Sequence, residues 1–169
     1  MTVNAWLNSE LERTNCFVAV FLGVLLTVAA IFVRISVGSP YRTILELGIG
    51  SIIPPVWLMM LIWTMAFFVN GCAAGLAFTY RIGGCELDKY KGALSFFLLA
   101  AAELLWYPIL FGKQFVLISV FMSILILCLA IATTTTFYRI TKFSGMLLFF
   151  HDVWLIYMLI LNFAVLARS

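Results

Sequence analysis

The sequence predicts an all-α integral membrane protein, a bundle of five transmembrane helices forming a single transmembrane domain over residues 1–169. Two observations carry that prediction. Of the 169 residues, 65% are hydrophobic and 10% charged, whereas soluble domains run near 45–50% apolar and about 25% charged. The apolar residues also fall into five runs of spanning length, at about 16–33, 55–80, 93–111, 115–138 and 145–167, separated by polar segments. A net charge of +3 spread over those segments gives no basic patch, so no nucleic-acid partner is expected.

Residues 1–15 are polar, and Trp6 is placed like an interfacial anchor. Cys16 to Val33 is then 18 uncharged residues, enough to cross about 30 Å of hydrocarbon. A signal peptide would want a basic n-region and a small-residue cleavage site, whereas this n-region is net acidic and Arg34 follows the run directly, so it reads as a retained first span. Arg34 to Ile53, with Gly38, Pro40, Gly48 and Gly50, reads as a long loop of the kind that is often functional. Pro54-Pro55 cannot sit inside a helix but can open one, because first-turn N–H groups have no helical partner. The second span therefore starts there and stays uncharged to Tyr80. Its Gly71-Cys72-Ala73-Ala74-Gly75 segment would let another backbone approach, within the chain or from a second copy.

Arg81 to Lys91 reads as a polar turn, with Gly83-Gly84 as a helix stop. The third span ends at a tight Gly112-Lys113-Gln114 hairpin. The fourth closes on Thr133–Thr136, whose hydroxyls can bond back to helix carbonyls. The fifth carries His151 and Asp152 near its start. Five spans put the termini on opposite sides, and six Lys or Arg against four favour a cytoplasmic N-terminus. Cys16, Cys72, Cys85 and Cys128 have no metal or redox spacing and read as small buried apolar residues.

Ionisable groups inside hydrocarbon are costly and usually face a cavity or a partner. Glu103, in the middle of the third span, is the first to explain. At 100° per residue it shares a stripe with Phe96, Leu99, Trp106, Tyr107 and Leu110. It lines a ligand cavity, or it is a protonated carboxyl tying two helices together; both readings stay open. On the fifth span His151, Trp154, Leu155, Met158 and Asn162 share a stripe, with Asp152 about 100° off it. His151 is a candidate ligand contact or an interface histidine. As the only histidine of the chain it excludes a bis-His haem site within one protomer. Glu103, His151 and Asp152 would form a proton relay if their helices face each other. No nucleophile with a nearby base, metal cluster or phosphate loop is visible, so no enzyme activity is expected. Leu105 to Lys113 also fits the L/V-x-Y-x-K/R form proposed for sterol contact.

Five spans with a Pro-Pro-x-Trp entry to the second make the chain similar to the translocator protein family, also called the tryptophan-rich sensory protein or peripheral benzodiazepine receptor family. The resemblance covers roughly Pro54 to Arg168. The family pattern PPxWxFxPVWxxLY appears as PPVWLMMLIWTMAF, keeping Pro54, Pro55, Trp57 and Trp63. LNxxWxxxFFG appears as AELLWYPILFG, keeping Trp106, Phe111 and Gly112. At the end of the fourth span and in the fifth, the family's ATT…WY run followed by LLxPYxxWxxxAxxLN resembles ATTTTFY with LLFFHDVWLIYMLILN in register, keeping Trp154, Leu161 and Asn162.

The resemblance implies an apolar pocket closed by the first long loop, often in a homodimer. It also implies ligands such as porphyrins, sterols and benzodiazepine-site compounds. The site residues would be Trp57, Trp106, Trp154, Met158 and Leu161, with 49–55 as part of a lid. Glu103, Tyr107 and His151 join them from the reading of the residues. Ile52 stands where the family has a loop tryptophan, one of a pair associated with porphyrin breakdown, which turns the expectation toward binding. Phe163 replaces the tyrosine of the family's C-terminal sterol motif.

The expected function is binding or transport of a flat hydrophobic ligand, a porphyrin or haem first, with no required cofactor and no metal. The expected partners are membrane lipid, a hydrophobic small molecule and a second copy of the chain. The alternatives are a small proton-coupled transporter using Glu103, His151 and Asp152, or an accessory subunit docking through Gly71–Gly75. The expected location is a multi-pass protein of a bacterial cell membrane rather than the outer mitochondrial membrane.

Overall fold

The computed structural model describes residues 12–38, 54–81 and 86–167. The readings placed on Trp6, on the 39–53 segment with Ile52, on Gly83-Gly84 and on Cys85 lie outside the described residues. Five helices fill the rest: α1 Cys16–Val37, α2 Val56–Thr79, α3 Glu86–Tyr107, α4 Val116–Ile140 and α5 Lys142–Leu166. Each is long and apolar enough to cross a membrane. Large apolar side chains such as Phe17, Phe21, Phe32, Phe121 and Phe149 lie exposed on the outside of the bundle. In water such a surface would be an aggregation liability, whereas in hydrocarbon it is the solvated face. The chain is an integral, multi-pass membrane protein.

Helix ends follow local chemistry. The Asn15 side chain caps α1, its Oδ1 accepting from Phe17 N–H at 3.1 Å. The Asn15 N–H donates to Thr79 Oγ1 at 3.0 Å, fixing the start of α1 to the end of α2. Pro55 caps α2, its carbonyl accepting from Leu58 and Met59. The third helix starts at Glu86 rather than at Ala93, because Glu86 and Asp88 suit the positive N-terminal end of a helix. Polarity there marks the edge of the hydrocarbon and not the edge of the helix. Likewise α1 continues to Val37, so Arg34 belongs to its last turn and not to a loop.

Pro108 lacks the N–H that a regular α3 would need, and the chain answers by widening into a π-helical turn over Pro108–Gly112. The Lys113 N–H donates to the Pro108 carbonyl at 3.0 Å. Gln114 then takes a left-handed φ of 55° to turn the chain into α4.

Packing runs around a closed ring in the order α1, α2, α5, α4, α3 and back to α1. The α1–α2 contact is the closest approach. A Cβ on Gly71 would meet the Leu22 carbonyl oxygen at 2.5 Å, and one on Gly75 would strike the Ala19 backbone. The small-residue segment of α2 is therefore an intramolecular seam, and no outside subunit docks on it while α1 is in place. On α4 the buried face repeats Ser119, Ser123, Ile126, Ala130, Thr133, Phe137 and Ile140, alternating steps of four and three. Ser144 Oγ donates to the Ala73 carbonyl, joining α5 to α2, and Ser119 Oγ donates to Asn162 Oδ1 at 2.9 Å, joining α4 to α5. Thr133, Thr135 and Thr136 each donate to a carbonyl of the preceding turn, as hydroxyls in an apolar helix must.

The cysteines depart from expectation. Cys16 and Cys128 lie on exposed faces and Cys72 is half-buried in the α1–α2 seam. Tyr107 is buried, its hydroxyl donating to the Gly38 carbonyl at 3.4 Å, so the sterol-type pattern of Leu105 to Lys113 does not present its tyrosine to lipid.

Candidate functional site

The interior of the ring holds a cavity of about 30 Å³ lined from four helices. Trp63, Ala66 and Phe67 come from α2, Glu103 and Trp106 from α3, Ser123 and Ile126 from α4, and His151, Trp154, Leu155 and Met158 from α5. A second cavity of about 20 Å³ adjoins it and shares Trp63, Trp106, Trp154 and Met158. Arg34, Met59, Met60, Tyr107 and Phe111 complete its wall.

The polar centre of the first cavity is a pair of ionisable side chains on facing helices. His151 Nε2 stands 2.9 Å from Glu103 Oε1, and both residues are at most 5% exposed. Asn70 of α2 donates from Nδ2 to Glu103 Oε2 at 3.4 Å, so three helices meet at one carboxyl. His151 is the only close partner of Glu103 Oε1 among the described residues. Trp106 Nε1, His151 Nδ1 and Asn70 Oδ1 are buried without a partner among the described residues. Each such atom costs about 1–3 kcal/mol unless something in the site engages it. Lining donors and acceptors of this kind are what a polar ligand edge or an ordered water would satisfy.

The sequence-predicted residues sort into three groups. Glu103, Trp106, His151, Trp154 and Met158 meet around the first cavity, and Tyr107 lines the second. Leu161 is buried but lines neither of these cavities. Trp57 is 67% exposed and faces away from both. The physical reason is angular: six residues on an α-helix turn the side chain by about 120°. Trp57 and Trp63 thus cannot both face the interior, and Trp63 does. Asp152 is buried beside the Thr134 hydroxyl of α4, close enough to feel the charge of His151 and Glu103, but of these three groups only His151 and Glu103 stand within ion-pair distance of one another.

Sequence reasoning missed Trp63, Phe67 and Asn70 as site residues. The signal was present: Phe67 and Asn70 follow Trp63 by four and seven residues, one stripe of α2. The ring stacking confirms how tightly that stripe is bound into the site wall. Trp63 meets Phe67 edge-on with centroids 4.7 Å apart and Tyr107 at 5.2 Å.

Among curated proteins none matches the chain. The model of the TspO/MBR family matches residues 16–168, from the first residue of α1 to beyond the last turn of α5. With five apolar helices in a closed ring around a tryptophan-lined cavity, the chain belongs to the TspO/MBR family.

Proposed function

We propose that the chain binds or transports a flat hydrophobic ligand of the porphyrin or haem type in the cavity between Trp63, Trp106 and Trp154, and that it is not an enzyme. The observation that carries the reading is the union of three tryptophans with a buried Glu–Asn–His cluster on the inside of a membrane bundle. Aromatic faces accept a planar ring system, and the polar cluster fixes its orientation. A cavity of about 30 Å³ holds roughly two water molecules. Ligand entry therefore requires the walls to part, with Met158 and Leu155 the adaptable side chains. The family resemblance also supports a homodimer.

Tryptophan-fluorescence titration with protoporphyrin IX tests the reading. Saturable quenching is expected, reduced by Trp63→Phe and by Trp154→Phe and left unchanged by Trp57→Phe. Glu103→Gln is expected to weaken binding. Quenching that keeps its midpoint and amplitude in Trp63→Phe, Trp154→Phe and Glu103→Gln would remove this site as the locus.

Proton-coupled transport is the second reading, and the 2.9 Å approach of His151 to Glu103 favours it. An intramembrane acid beside an imidazole is a proton-exchanging unit. Flux in proteoliposomes that ignores both a pH gradient and Glu103→Gln would discard it.

A further inference from the structure

We infer that the second cavity is an acid subsite, in which Arg34 receives an anionic carboxylate of the ligand whose apolar body lies between the tryptophans. The inference rests on the proposed cavity and adds the polarity and orientation of what enters it.

Arg34 follows Ala30 by four residues and so continues the face of α1 that carries Ala19, Gly23, Leu26 and Ala30 into the bundle. A lysine or arginine near the end of a spanning helix ordinarily snorkels outward to the headgroups. This one turns inward instead. It lines the cavity with Met59, Met60 and Tyr107, donates to the Met60 thioether and lies beside the Tyr107 hydroxyl. Thioether sulfur is a weak acceptor, and a guanidinium carries five N–H donors in a planar fork. Among the described residues no carboxylate lies within ion-pair distance of Arg34. The Tyr107 hydroxyl donates to the Gly38 carbonyl and offers Arg34 only a neutral oxygen lone pair, so the cation has no anionic partner among the described residues.

A guanidinium with no carboxylate partner among the described residues, at the wall of an apolar cavity, is matched by a carboxylate, which it binds through two parallel charge-assisted hydrogen bonds. The geometry sets the direction of the ligand. Trp63, Trp106, Trp154 and Met158 are common to both cavities, so a single planar body spans them. Its acid end then lies at Arg34, toward the C-terminal end of α1, and its other end lies at Glu103 and His151. Two anionic ends are disfavoured, because the second would face the Glu103 carboxyl. The site thus selects amphipathic molecules with their acid groups on one edge.

The test compares protoporphyrin IX with its dimethyl ester, which has the same ring and no charge, in nanodiscs of phosphatidylcholine alone. Wild type is expected to prefer the free acid. Arg34→Gln is expected to weaken the free acid about tenfold or more and to leave the ester within about twofold. Arg34→Lys is expected to restore part of the difference, which separates a lost contact from a misfolded variant. Equal weakening of acid and ester by Arg34→Gln would assign Arg34 a structural role and overturn the inference. An acid preference that survives Arg34→Gln would overturn it as well. If anionic phosphatidylglycerol in the nanodisc abolishes the acid preference of wild type, Arg34 serves a lipid phosphate and the inference falls. Absence of saturable binding of both compounds to wild type would defeat the cavity reading itself, an outcome distinct from loss of the acid preference alone.

Discussion

Glu103 and His151 face each other from α3 and α5 inside the bundle, so removing either side chain leaves the other without its polar partner. Breaking a buried pair by removing one partner typically costs about 3–5 kcal/mol, while replacing both with apolar side chains of similar volume is often neutral. Glu103→Leu and His151→Leu are each expected to lower the thermal midpoint in detergent, and the double variant to recover much of the loss. A coupling energy of about 1–3 kcal/mol in that cycle is the expected result, and strictly additive losses would show that the two side chains do not interact. Asn70 keeps its bond to Glu103 only while the carboxyl is there, so Glu103→Leu strands an amide as well. The single substitution at 103 should therefore be the costlier of the two. Much of this cluster was legible from sequence. An acid in an apolar helix announces itself by its transfer cost, and His151 and the tryptophans share stripes that periodicity exposes. Asn70 shares the Trp63–Phe67 stripe but stands out less than an acid does, because an amide costs far less to bury than a charge. Trp57 lies on the outer face of α2, because a motif fixes the order of residues and not the side of the helix they face.

At the scale of an element, the α1–α2 seam is the tightest contact and the most exposed to substitution. Gly75 lies against the Ala19 backbone, which cannot move aside as a flexible side-chain tip would. Gly75→Val is expected to destabilise by about 1–3 kcal/mol or more through overpacking, and Gly75→Ala by less. Loosening of the seam has its own readout, since Cys72 is half-buried there and contacts the position of Gly23. In a background with Cys16, Cys85 and Cys128 changed to serine, Gly75→Val should raise the rate of maleimide labelling at Cys72. Unchanged labelling together with unchanged stability would show that α1 and α2 are not locked as described. Helix number and order were legible because hydrocarbon demands about twenty apolar residues per crossing. The helix ends were less so: charge marks the membrane boundary, whereas capping and dipole chemistry mark the helix boundary. Glu86 and Arg34 show the two diverging in opposite halves of the chain. Pro108 was visible as an irregularity, but whether a helix breaks or widens at proline depends on what the neighbouring turns can rebond.

Across the whole molecule, the ring of five helices encloses, among the described residues, two small adjoining chambers with a shared wall. Cavities of about 30 and 20 Å³ are too small for any tetrapyrrole as they stand. Their separation rests on side chains and not on backbone, because Trp63, Trp106, Trp154 and Met158 belong to both. Of these four, methionine is the one without a ring and with three soft torsions, so it is the partition that yields first. Met158→Ala removes it and should join the chambers. In a lipid-solvated bundle the loss of packing is the main cost, so the variant is expected to be less stable without ligand, by about 2–5 kcal/mol at most. With ligand the sign reverses: less wall must be displaced, so protoporphyrin IX should associate faster and bind more tightly. Stopped-flow quenching separates these effects, because a pre-opened site raises the association rate while added contacts would act on dissociation. A variant that binds at the wild-type rate and affinity would mean that entry is limited elsewhere in the ring, and Met158 would then be packing alone.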